Sequence, residues 1–449
     1  MSGPVTSLSG YPEWLPRERI AEQLVVERIR RVFELHGFTP IETRAVEPIE
    51  QLSRGGEIDK EVYLLRRLRA GSDDDAGLGL HYDLTVPFAR YVGENAGRLD
   101  FPFRRYQIQK VWRGERPQEG RFREFLQADV DVVDRDALAA QYEVEIPLVI
   151  GEALGALPIP QVRILVNNRL LAEACYRQLG ATDPVVVLRI VDKLAKIGPD
   201  AVERALVEEA RLEPTAARLC LRLGEIRGAG VDERLHQLGF RGAEVDRGLE
   251  ELLRVVDGVN AVRPGLVEAD LSIARGLDYY TGTVYETVLT GHEDLGSVSS
   301  GGRYDSLAGD GKSRYPGVGM SIGVSRLLVR LFGAVTASRA VPTCVLVAVP
   351  SEEQRARSAA VAERLRARGI PVEVAPRAEK YGKQIRYADR RGIPFVWFPG
   401  EPDTVKDIRS GEQIPADAAV WEPPEHDRWP SLVGRLDGRG ESDDRGSTT

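Results

Sequence analysis

The stretch ARGLDYYTGTVYE (274–286) places one arginine, one aspartate and three tyrosines within a short run. Its aromatic and β-branched residues favour a β-strand, but a strand with only a structural role rarely carries both an arginine and an aspartate. A guanidinium stays charged and offers directional donors, so it suits a site where negative charge develops. The stretch therefore predicts a strand that lines a pocket and contributes to its chemistry.

A second stretch, 101–134, combines positive charge with a two-sided strand pattern. Seven Lys or Arg residues and two Glu residues lie between Arg104 and Arg123, in a chain whose net charge is −8. In the second strand-like half, one face is predicted to carry Phe125, Gln127, Asp129 and Asp131, and the other is apolar. The pattern predicts a hairpin with a core face and a polar wall that holds something anionic. The alternative is a solvated hairpin with scattered salt bridges.

A glycine-rich run, 297–327, provides a third candidate region. Its glycines at 317, 319 and 323 precede Arg326, where a predicted strand leads into a helix. Small residues let a flat ligand approach the backbone, and an arginine can stack on a base or pair with a phosphate. The GKS tripeptide at 311–313 is not a phosphate-binding loop, because Ser306 stands where that loop needs glycine.

The composition is that of an ordinary globular chain. Its 449 residues, 42% hydrophobic and 29% charged, predict about two to four domains. No run approaches the roughly 18 to 20 apolar residues of a membrane span, and the first residues lack a basic flank and an apolar segment. We therefore expect a cytoplasmic protein with no membrane contact. Cys175, Cys220 and Cys344 show no CxxC spacing, which predicts core thiols.

The chain changes character along its length, which predicts several domains. Residues 1–330 mix strands and helices and are interrupted by a helical insertion at 166–260; a small, polar linker follows at 331–341. Strands and helices then alternate through 342–424, which is typical of a small α/β domain. The remaining residues, 425–449, are predicted to form a disordered tail.

Several of these stretches resemble the histidyl-tRNA synthetases, from about residue 10 to 424. VWRGERPQEGRFREFLQADVDV (111–132) resembles motif 2 of the class II aminoacyl-tRNA synthetases, and GVGMSIGVSRL (317–327) resembles motif 3. ARGLDYYTGTVYE and SSGGRYD (299–305) are similar to two histidine-specific signatures. HYDLTVPFARYV (81–92) matches a further substrate-binding segment, and VDKLAKIG (191–198) resembles a mark of the inserted helical domain.

The resemblance implies an α+β fold and a specific activity. The fold would be a class II catalytic core with a mostly antiparallel sheet flanked by helices, a helical insertion and a C-terminal α/β anticodon-binding domain. The activity would join L-histidine to tRNA(His) through histidyl-adenylate, with ATP as substrate and Mg²⁺ to offset the phosphate charge. A homodimer is implied as well, and the metal ligands are left unassigned.

The resemblance also implies the roles of individual residues. The ATP site would contain Arg113, Glu115, Arg121 and Arg326, with Arg113 and Arg275 as catalytic residues at the α-phosphate. Histidine would be bound by Asp83, Thr85, Gln127, Asp131, Arg275, Tyr280 and Tyr304, with Asp131, Tyr280 and Tyr304 at the imidazole. In the C-terminal domain, a basic run at 377–391 with interleaved tyrosines predicts tRNA contacts at Lys380, Lys383, Arg386 and Tyr387. The alternative for that run is a solvated helix face.

Three residues depart from the family pattern. Arg44 stands where motif 1, which builds the dimer interface, usually has proline; Ser325 stands where motif 3 usually has an acidic residue. Asp131 replaces the glutamate of many relatives and shortens the reach to the imidazole by one methylene. We expect Ser325 to alter metal or adenine contacts modestly.

A second function on the same fold is a non-catalytic regulatory subunit of ATP phosphoribosyltransferase. Such relatives typically lose parts of the ATP site and lack a comparable anticodon-binding domain. Arg113, Arg275, Arg326 and the C-terminal α/β pattern are all present here, which favours the synthetase.

Overall fold

A computed structural model describes residues 7–53, 61–68, 77–118, 120–274, 279–309 and 311–437. The chain divides into two compact units. The first comprises Met1–Pro12, Arg28–Arg330 and Asp437–Thr449, and the second comprises Glu13–Glu27 and Leu331–Leu436. Residues 13–27 therefore group with the C-terminal unit, although the sequence pattern placed them in the N-terminal domain.

The first unit is built on an eight-stranded sheet. The described strands of this unit, in chain order, are β1 (Thr39–Pro40), β2 (Val46–Pro48), β3 (Leu78–Leu80), β4 (Phe103–Trp112), β5 (Glu124–Val133), β6 (Val162–Asn168), β7 (Val267–Ala269), β8 (Thr283–Leu289), β9 (Ser299–Tyr304) and β10 (Gly317–Gly323). The sheet order is β1-β4-β5-β10-β9-β8-β6-β7, while β2 and β3 pair separately. Only the outermost pairs, β1 with β4 and β6 with β7, are parallel among the described strands of this sheet. The predicted, mostly antiparallel sheet is confirmed.

Helices precede, separate and follow these strands along the chain, and the first of them begins in the part that groups with the second unit. They are α1 (Pro16–Leu35), α2 (Ile49–Leu52), α3 (Thr85–Asn95), α4 (Gln141–Gly155), α5 (Arg169–Gln178), α6 (Pro184–Val191), α7 (Leu194–Ile197), α8 (Pro199–Glu208), α9 (Pro214–Leu223), α10 (Val231–Gln237), α11 (Ala243–Val262) and α12 (Val324–Leu331). Helix α4 packs against β5, β6 and β10. It covers the apolar face of β5, on which Ala128, Val130 and Val132 are fully buried. The opposite face of the central strands is left for polar side chains.

The helical run lies between β6 and β7. It extends from α5 to α11, so residues 166–168, predicted as its start, instead complete β6. The Asn168 side chain caps α5 by accepting a hydrogen bond from the N–H of Leu171, which satisfies one of the helix's first donors. Cys175 and Cys220 are buried in this run, as predicted for core thiols.

The second unit contains a five-stranded sheet with apolar layers on both faces. Its elements are β11 (Thr336–Ala337), β12 (Val345–Val347), α13 (Arg355–Ala367), β13 (Val372–Val374), α14 (Tyr381–Arg391), β14 (Phe395–Phe398), β15 (Thr404–Asp407), β16 (Gln413–Pro415), α15 (Glu425–Arg428) and β17 (Leu432–Val433). The order is β13-β12-β14-β15-β16, with parallel pairing around β12 and antiparallel pairing from β14 onward. Trp397, in the central strand β14, is fully buried.

The expected tail and linker are more ordered than their composition suggests. Strand β17 pairs with β11, which lies inside the predicted linker. Asp427, in α15, is paired with Arg409 at 2.7 Å. Residues 425–437 are therefore part of the second unit's structure up to Leu436, and 438–449 lie outside the described residues. No helix in the described ranges is long and apolar enough to cross a membrane.

Candidate active site

The polar face of the central strands carries a wide cleft of about 170 Å³. It is lined by Arg113, Glu115, Gly120, Arg121, Phe122, Phe125, Gln127, Ser297, Val298, Ser299, Ser300, Ser321, Gly323 and Arg326. The structure thus brings together all four residues predicted for the ATP site, and Gln127 joins them from the predicted histidine site. Three of the lining residues are arginines, which makes the wide cleft a site suited to phosphates.

The loop between β4 and β5 places two of these arginines. Its ends are joined by the N–H of Arg113, which donates to the Arg123 carbonyl at 2.9 Å, and Gln118 and Arg121 exchange backbone hydrogen bonds at its tip. The Arg113 side chain donates through Nε to the Tyr82 carbonyl and lies 5.2 Å from the centre of the Phe125 ring. This arrangement fixes the guanidinium while leaving its terminal nitrogens near the cleft.

Glu115 and Arg326 complete the lining of the wide cleft. A Glu115 carboxylate oxygen lies 3.3 Å from Arg121 Nη1, and its other oxygen lies 3.9 Å from Arg113 Nη1. Arg326, in α12, donates to the carbonyls of Ser297 and Gly120 at 2.5 and 3.4 Å. Arg326 therefore ties the β4–β5 loop to the chain that leads into β9.

A small cavity of about 10 Å³ lies beside the wide cleft. It is lined by Thr85, Asp129, Asp131, Tyr280, Ser300, Gly301, Tyr304, Gly319, Met320 and Ser321. Ser300 and Ser321 line both spaces. Four residues predicted to bind histidine, namely Thr85, Asp131, Tyr280 and Tyr304, meet here, so the two predicted sites are adjacent on one sheet face.

Asp131 is held at the back of the small cavity by two partners. Tyr304 Oη donates to Asp131 Oδ1 at 2.8 Å, and Arg105 Nη2 lies 2.7 Å from Asp131 Oδ2. Arg105 is fully buried on β4, directly opposite Asp131 in the strand register. Its guanidinium also lies 4.4 Å from the centre of the Phe88 ring. The Asp131 carboxylate is therefore oriented before any ligand arrives.

Two glycines of β10 make room for these side chains. A Cβ at Gly319 would lie 2.1 Å from Asp131 Oδ1, and one at Gly317 would lie 2.6 Å from the Tyr304 ring. At both positions the space that a Cβ would need is already filled by the protein's own atoms, so these glycines are required by the packing of Asp131 and Tyr304, and Gly319 also lines the small cavity. At Gly323, a Cβ would come no closer than 3.6 Å to another atom, and this residue does line the wide cleft.

Asp83 lies just before α3 and already has two hydrogen-bond donors. Its Oδ1 accepts from the Val86 N–H at 3.1 Å, and its Oδ2 accepts from the Tyr279 hydroxyl at 3.2 Å. Asp83 is buried, and in the described part of the chain the lining of the small cavity includes Thr85 but not Asp83. The structure therefore puts Asp83 in the wall behind the cavity.

The three buried aspartates have raised pKa values. Burial raises the pKa of Asp129 to about 7 and the pKa values of Asp83 and Asp131 to about 6. The positive charge of Arg105 opposes the rise at all three, while the charge of Asp83 adds to it at Asp129 and Asp131. One buried guanidinium thus faces three carboxyl groups, which favours protonation of one of them when the cavity is empty.

Sequence reasoning missed Arg105, Asp129, Tyr279 and Ser321 as members of the site. Strand alternation places Asp129 on the polar face but indicates no role for it. Arg105 was counted only as part of a local charge excess. The pairing of β4 with β5 sets Arg105 opposite Asp131 and identifies Arg105, and the pairing of β10 with β5 sets Ser321 opposite Asp129 and brings these two together. Tyr279 is found through its hydrogen bond to Asp83.

Several other predictions turn out differently or lie outside the described residues. Arg275 belongs to residues 275–278, which the structure does not describe. Ser325 is buried, and its hydroxyl accepts from the Leu126 N–H at 2.9 Å, so its hydroxyl faces the backbone of β5 rather than adenine or metal. Arg44 donates to the buried carboxylate of Glu47, which Arg90 also contacts.

In the second unit, part of the basic run lines a separate pocket of about 570 Å³. Its lining includes three predicted tRNA-binding residues, Lys383, Arg386 and Tyr387. Lys380 stands just before α14, where it is the N-cap residue. Lys383 is paired with Glu379 at 3.3 Å, and the Arg391 guanidinium lies 5.0 Å from the centre of the Tyr387 ring.

Comparison with known proteins extends these observations. The family model described as histidyl-tRNA synthetase matches residues 10–327, and the one described as anticodon binding domain matches 343–418. The histidine–tRNA ligase of Cutibacterium acnes is 57% identical over 446 residues, covering 95% of this chain and 98% of the relative. A crystal structure of histidyl-tRNA synthetase from Nostoc superimposes with a TM-score of 0.81 at 35% identity, covering 93% of this chain and 98% of that one.

A more distant structure bears on the regulatory alternative. A protein of Bacillus halodurans, described as an ATP phosphoribosyltransferase regulatory subunit/histidyl-tRNA synthetase, has a TM-score of 0.69 at 19% identity, covering 86% of this chain and 96% of that one. At that identity the likeness shows only a shared fold.

The mostly antiparallel sheet, with the wide cleft on its polar face, is that of a class II aminoacyl-tRNA synthetase. The chain belongs to the histidyl-tRNA synthetase family, as the family model and the relative at 57% identity show.

Proposed function

We propose that the chain is a histidine–tRNA ligase. It would activate L-histidine with ATP to give histidyl-adenylate and pyrophosphate, and then transfer histidine to the 3′ end of tRNA(His). The observation that carries the proposal is one strip of polar side chains along β5. Gln127 lies in the wide cleft, while Asp129 and Asp131 lie in the small cavity, so a nucleotide and an amino acid can meet on one strand.

The chemistry needs positioning and charge rather than a side-chain nucleophile. The histidine carboxylate attacks the α-phosphorus of ATP, pyrophosphate leaves, and the ribose hydroxyl of tRNA later attacks the acyl carbon. Arg113, Arg121 and Arg326 would stabilise the phosphate charge that builds up in the first step. The role of Arg275 at the α-phosphate stays a prediction from the family resemblance.

Histidine recognition would use Asp131, Tyr280 and Tyr304 at the imidazole. The carboxylate of Asp131 is fixed by Tyr304 and Arg105, so it can accept a hydrogen bond from an imidazole N–H without reorganising. An apolar amino acid of similar size would offer this buried carboxylate no hydrogen-bond donor, which supports discrimination by hydrogen bonding. Thr85 and Gln127 would contact the amino-acid backbone, as the resemblance implies for Asp83 as well.

Mg²⁺ would enter bound to ATP. No cluster of three or more His, Cys, Asp or Glu side chains suited to a metal ion occurs within the described ranges. Glu115 is the carboxylate in the lining of the wide cleft, so it is the residue that fits an additional contact to a phosphate-bound ion. The ion would supply positive charge beyond that of the arginines.

The second unit would bind the anticodon region of tRNA, and its proposed extent is 342–424. Basic side chains near phosphates and a tyrosine able to stack on a base suit single-stranded RNA, and Lys380, Lys383, Arg386 and Tyr387 are our proposed contacts. The catalytic domain would occupy 1–330 with the helical insertion at 166–260. We further propose a homodimer acting in the cytoplasm, where its tRNA substrate would be charged.

Histidine-dependent exchange between pyrophosphate and ATP tests the first step directly. The purified chain should catalyse this exchange with L-histidine and far more slowly with other amino acids. A chain that binds histidine yet shows no exchange would instead support the regulatory-subunit alternative.

A double variant, Lys383→Ala with Arg386→Ala, tests the tRNA contacts in the full-length protein. We expect normal exchange but a lower rate of tRNA charging, together with a weaker dependence of tRNA binding on salt, because two phosphate contacts are lost. Arg364→Ala, on helix α13, which packs on the opposite face of the five-stranded sheet from α14, is the matched control. Charging that equals the wild-type rate would contradict the assignment.

A further inference from the structure

The segment 8–11 lies against the β4–β5 loop at the point where this loop enters β5. The Gly10 carbonyl accepts hydrogen bonds from the N–H groups of Arg123 and Glu124, at 2.8 and 3.2 Å. Gly10 has a φ of +86°, in the left-handed region, and a Cβ there would lie 3.0 Å from the Cγ atoms of Arg123 and Pro117. Glycine is therefore required at this position both by the backbone conformation and by the closeness of the loop.

The contact at Gly10 extends along the Arg123 side chain to the wide cleft. The carbons of Arg123 lie against Gly10, while its Nε donates to the Glu115 carbonyl at 3.3 Å. The Glu115 carboxylate lies 3.3 Å from Arg121 Nη1, and both residues line the wide cleft. A displacement of the segment 8–11 would therefore change the position of side chains in the cleft.

A second segment, 61–65, holds the other end of the loop. The Glu61 carbonyl accepts a hydrogen bond from the Gly114 N–H at 2.7 Å, directly after β4 and Arg113. This segment is attached to β3, because the Tyr63 carbonyl accepts from the N–H of Leu80 at 2.9 Å. The loop is thus held at both ends by backbone groups of segments that are remote from it in sequence.

Tyr11 and Tyr63 join the two segments to each other. Their hydroxyl groups are hydrogen-bonded, and their ring centres lie 6.4 Å apart. Burial and this hydrogen bond raise the pKa of Tyr11 to about 12, so its phenol stays protonated near neutral pH. In the described part of the chain, the lining of the wide cleft includes neither tyrosine. The pair therefore connects two loop contacts from outside the cleft.

We infer that the segment 8–11, joined to 61–65 through Tyr11 and Tyr63, positions the β4–β5 loop for the binding of ATP. The inference rests on the proposed function and goes beyond it, because it assigns a part in nucleotide binding to residues outside the described lining of the cleft. A loop that is already held at both ends loses less conformational freedom when the nucleotide binds, which raises the affinity. Gly10 and the two tyrosines are positioning residues, since they act through the side chains of the loop.

The kinetics of histidine-dependent exchange test the tyrosine pair. Tyr11→Phe and Tyr63→Phe each keep the ring and remove the hydrogen bond. Each should raise the KM for ATP by about 3- to 10-fold, the factor that corresponds to the loss of one hydrogen bond. The KM for histidine should stay within the error of the measurement. The double variant should equal the single ones, because the shared bond can be lost only once.

Tyr106→Phe is the matched control for the tyrosine variants. The Tyr106 hydroxyl donates to Glu34 at 2.8 Å, and burial and this bond raise the pKa of Tyr106 to about 12 as well. The residue lies opposite Val130 in the strand register, on the apolar face of β4 and β5. Tyr106→Phe therefore removes a comparable hydrogen bond and should leave both KM values unchanged, whatever its effect on the melting temperature.

Gly10→Ala tests the contact with the loop directly. Its control is Gly37→Ala, because Gly37 has a φ of +75° but a Cβ there would meet no atom within 4 Å. Both variants strain the backbone, but only Gly10→Ala should raise the KM for ATP, by at least about 10-fold, since the loop must move. Trypsin cleavage after Arg121 measures opening of the loop, and it should be faster in Gly10→Ala than in Gly37→Ala or the wild type.

The inference is overturned if the tyrosine variants leave the KM for ATP unchanged or raise both KM values equally. It is also overturned if the two control variants have the same effects as the variants they match, or if the effects of the two tyrosine changes multiply. Failure of the proposed function gives another result, because the wild type itself would then show no exchange, while the trypsin comparison would still test the loop contact. If Gly10→Ala does not fold, the tyrosine variants decide the question.

Discussion

The wide cleft and the small cavity share a sheet face but use charge in opposite ways. In the wide cleft, the side chains of Arg113 and Arg121 are 29% and 41% exposed and share one carboxylate, Glu115. In the small cavity, Arg105 and Asp131 are paired and almost wholly buried. Partly exposed arginines keep hydrogen-bond donors available for a ligand. A buried ion pair instead orients its neighbours, and removal of one partner destabilises the fold. Substitutions should therefore affect catalysis alone in the wide cleft and both stability and catalysis in the small cavity.

The strongest test of this difference is Arg113→Ala. It should lower histidine-dependent exchange by about 100- to 10,000-fold, the scale for removing one preorganised charge partner of a transition state. Thermal stability should stay within the error of the measurement, because the side chain is partly exposed. Arg116→Ala, an exposed arginine of the same loop, is the control for exchange. A large drop in melting temperature for Arg113→Ala would remove the contrast between the two spaces.

Arg105→Met tests the other half of the comparison. The change keeps the apolar bulk but leaves Asp131 buried without its cation, so we expect a loss of about 3 to 5 kcal/mol in the free energy of unfolding. Denaturant unfolding measures this loss. Adding Asp131→Asn should recover part of the stability without recovering histidine affinity. If the single and double variants are equally unstable, loss of the Arg105–Asp131 ion pair does not account for the loss of stability.

A glycine-to-alanine substitution can be compared in the two spaces, at Gly319 in the small cavity and at Gly323 in the wide cleft. Gly319→Ala would drive a methyl group into the Asp131 carboxylate, whereas Gly323→Ala meets nothing closer than 3.6 Å. The first should raise the KM for histidine by at least about 10-fold, since Asp131 must move. The second should mainly raise the KM for ATP, by a few-fold. Equal effects on both constants in both variants would contradict the separation of the two spaces.

The gradual change among these predictions is a pH dependence of stability. Because the pKa of Asp129 is raised to about 7 in the fold from 3.8, the native state holds a proton there that the unfolded chain has lost. The free energy of unfolding should therefore fall as pH rises from about 4 to 7, by at most about 1.4 kcal/mol per pH unit from this group.

The variant Asp129→Asn isolates that contribution. Its stability advantage over the wild type should be greatest above pH 7 and should shrink toward pH 4, close to the pKa of 3.8 below which the carboxyl of the unfolded chain is protonated as well. Melting curves of the two ligand-free proteins across this range provide the measurement. A difference that is constant with pH would mean that Asp129 does not titrate between these limits.

Part of the site follows from local sequence. Alternation along β5 predicted one polar and one apolar face, and this is confirmed: Phe125 and Gln127 line the wide cleft, while Asp129 and Asp131 line the small cavity. A period of two residues needs no knowledge of the partner strand. The activity was predicted from the resemblance to the synthetases, because no local pattern of residues indicates it.

The partners of charged residues did not follow from the sequence. The charge excess between Arg104 and Arg123 predicts an anion site, yet Arg104, Arg105 and Lys110 are paired with Glu145, Asp131 and Glu124. Lys110 and Glu124 lie 14 residues apart. Such pairs depend on strand register and helix packing, which composition does not determine. Likewise, the need for glycine at 317 and 319 arises from side chains of other strands.

The ten residue pairs that join β4 to β5, from Phe103 with Val133 to Trp112 with Glu124, make β5 intolerant of changes in length. Loss of one residue within Glu124–Val133 would shift part of the strand by one position. Gln127 or Asp131 would then turn toward α4, and an apolar neighbour in the sequence would take its place on the polar face. Substitutions in β5 can be graded in their effect, but a single-codon deletion there should abolish aminoacylation outright. In the loop at 113–123, side chains do not alternate between two faces of a sheet. A change in the length of this loop would therefore act only by moving its arginines.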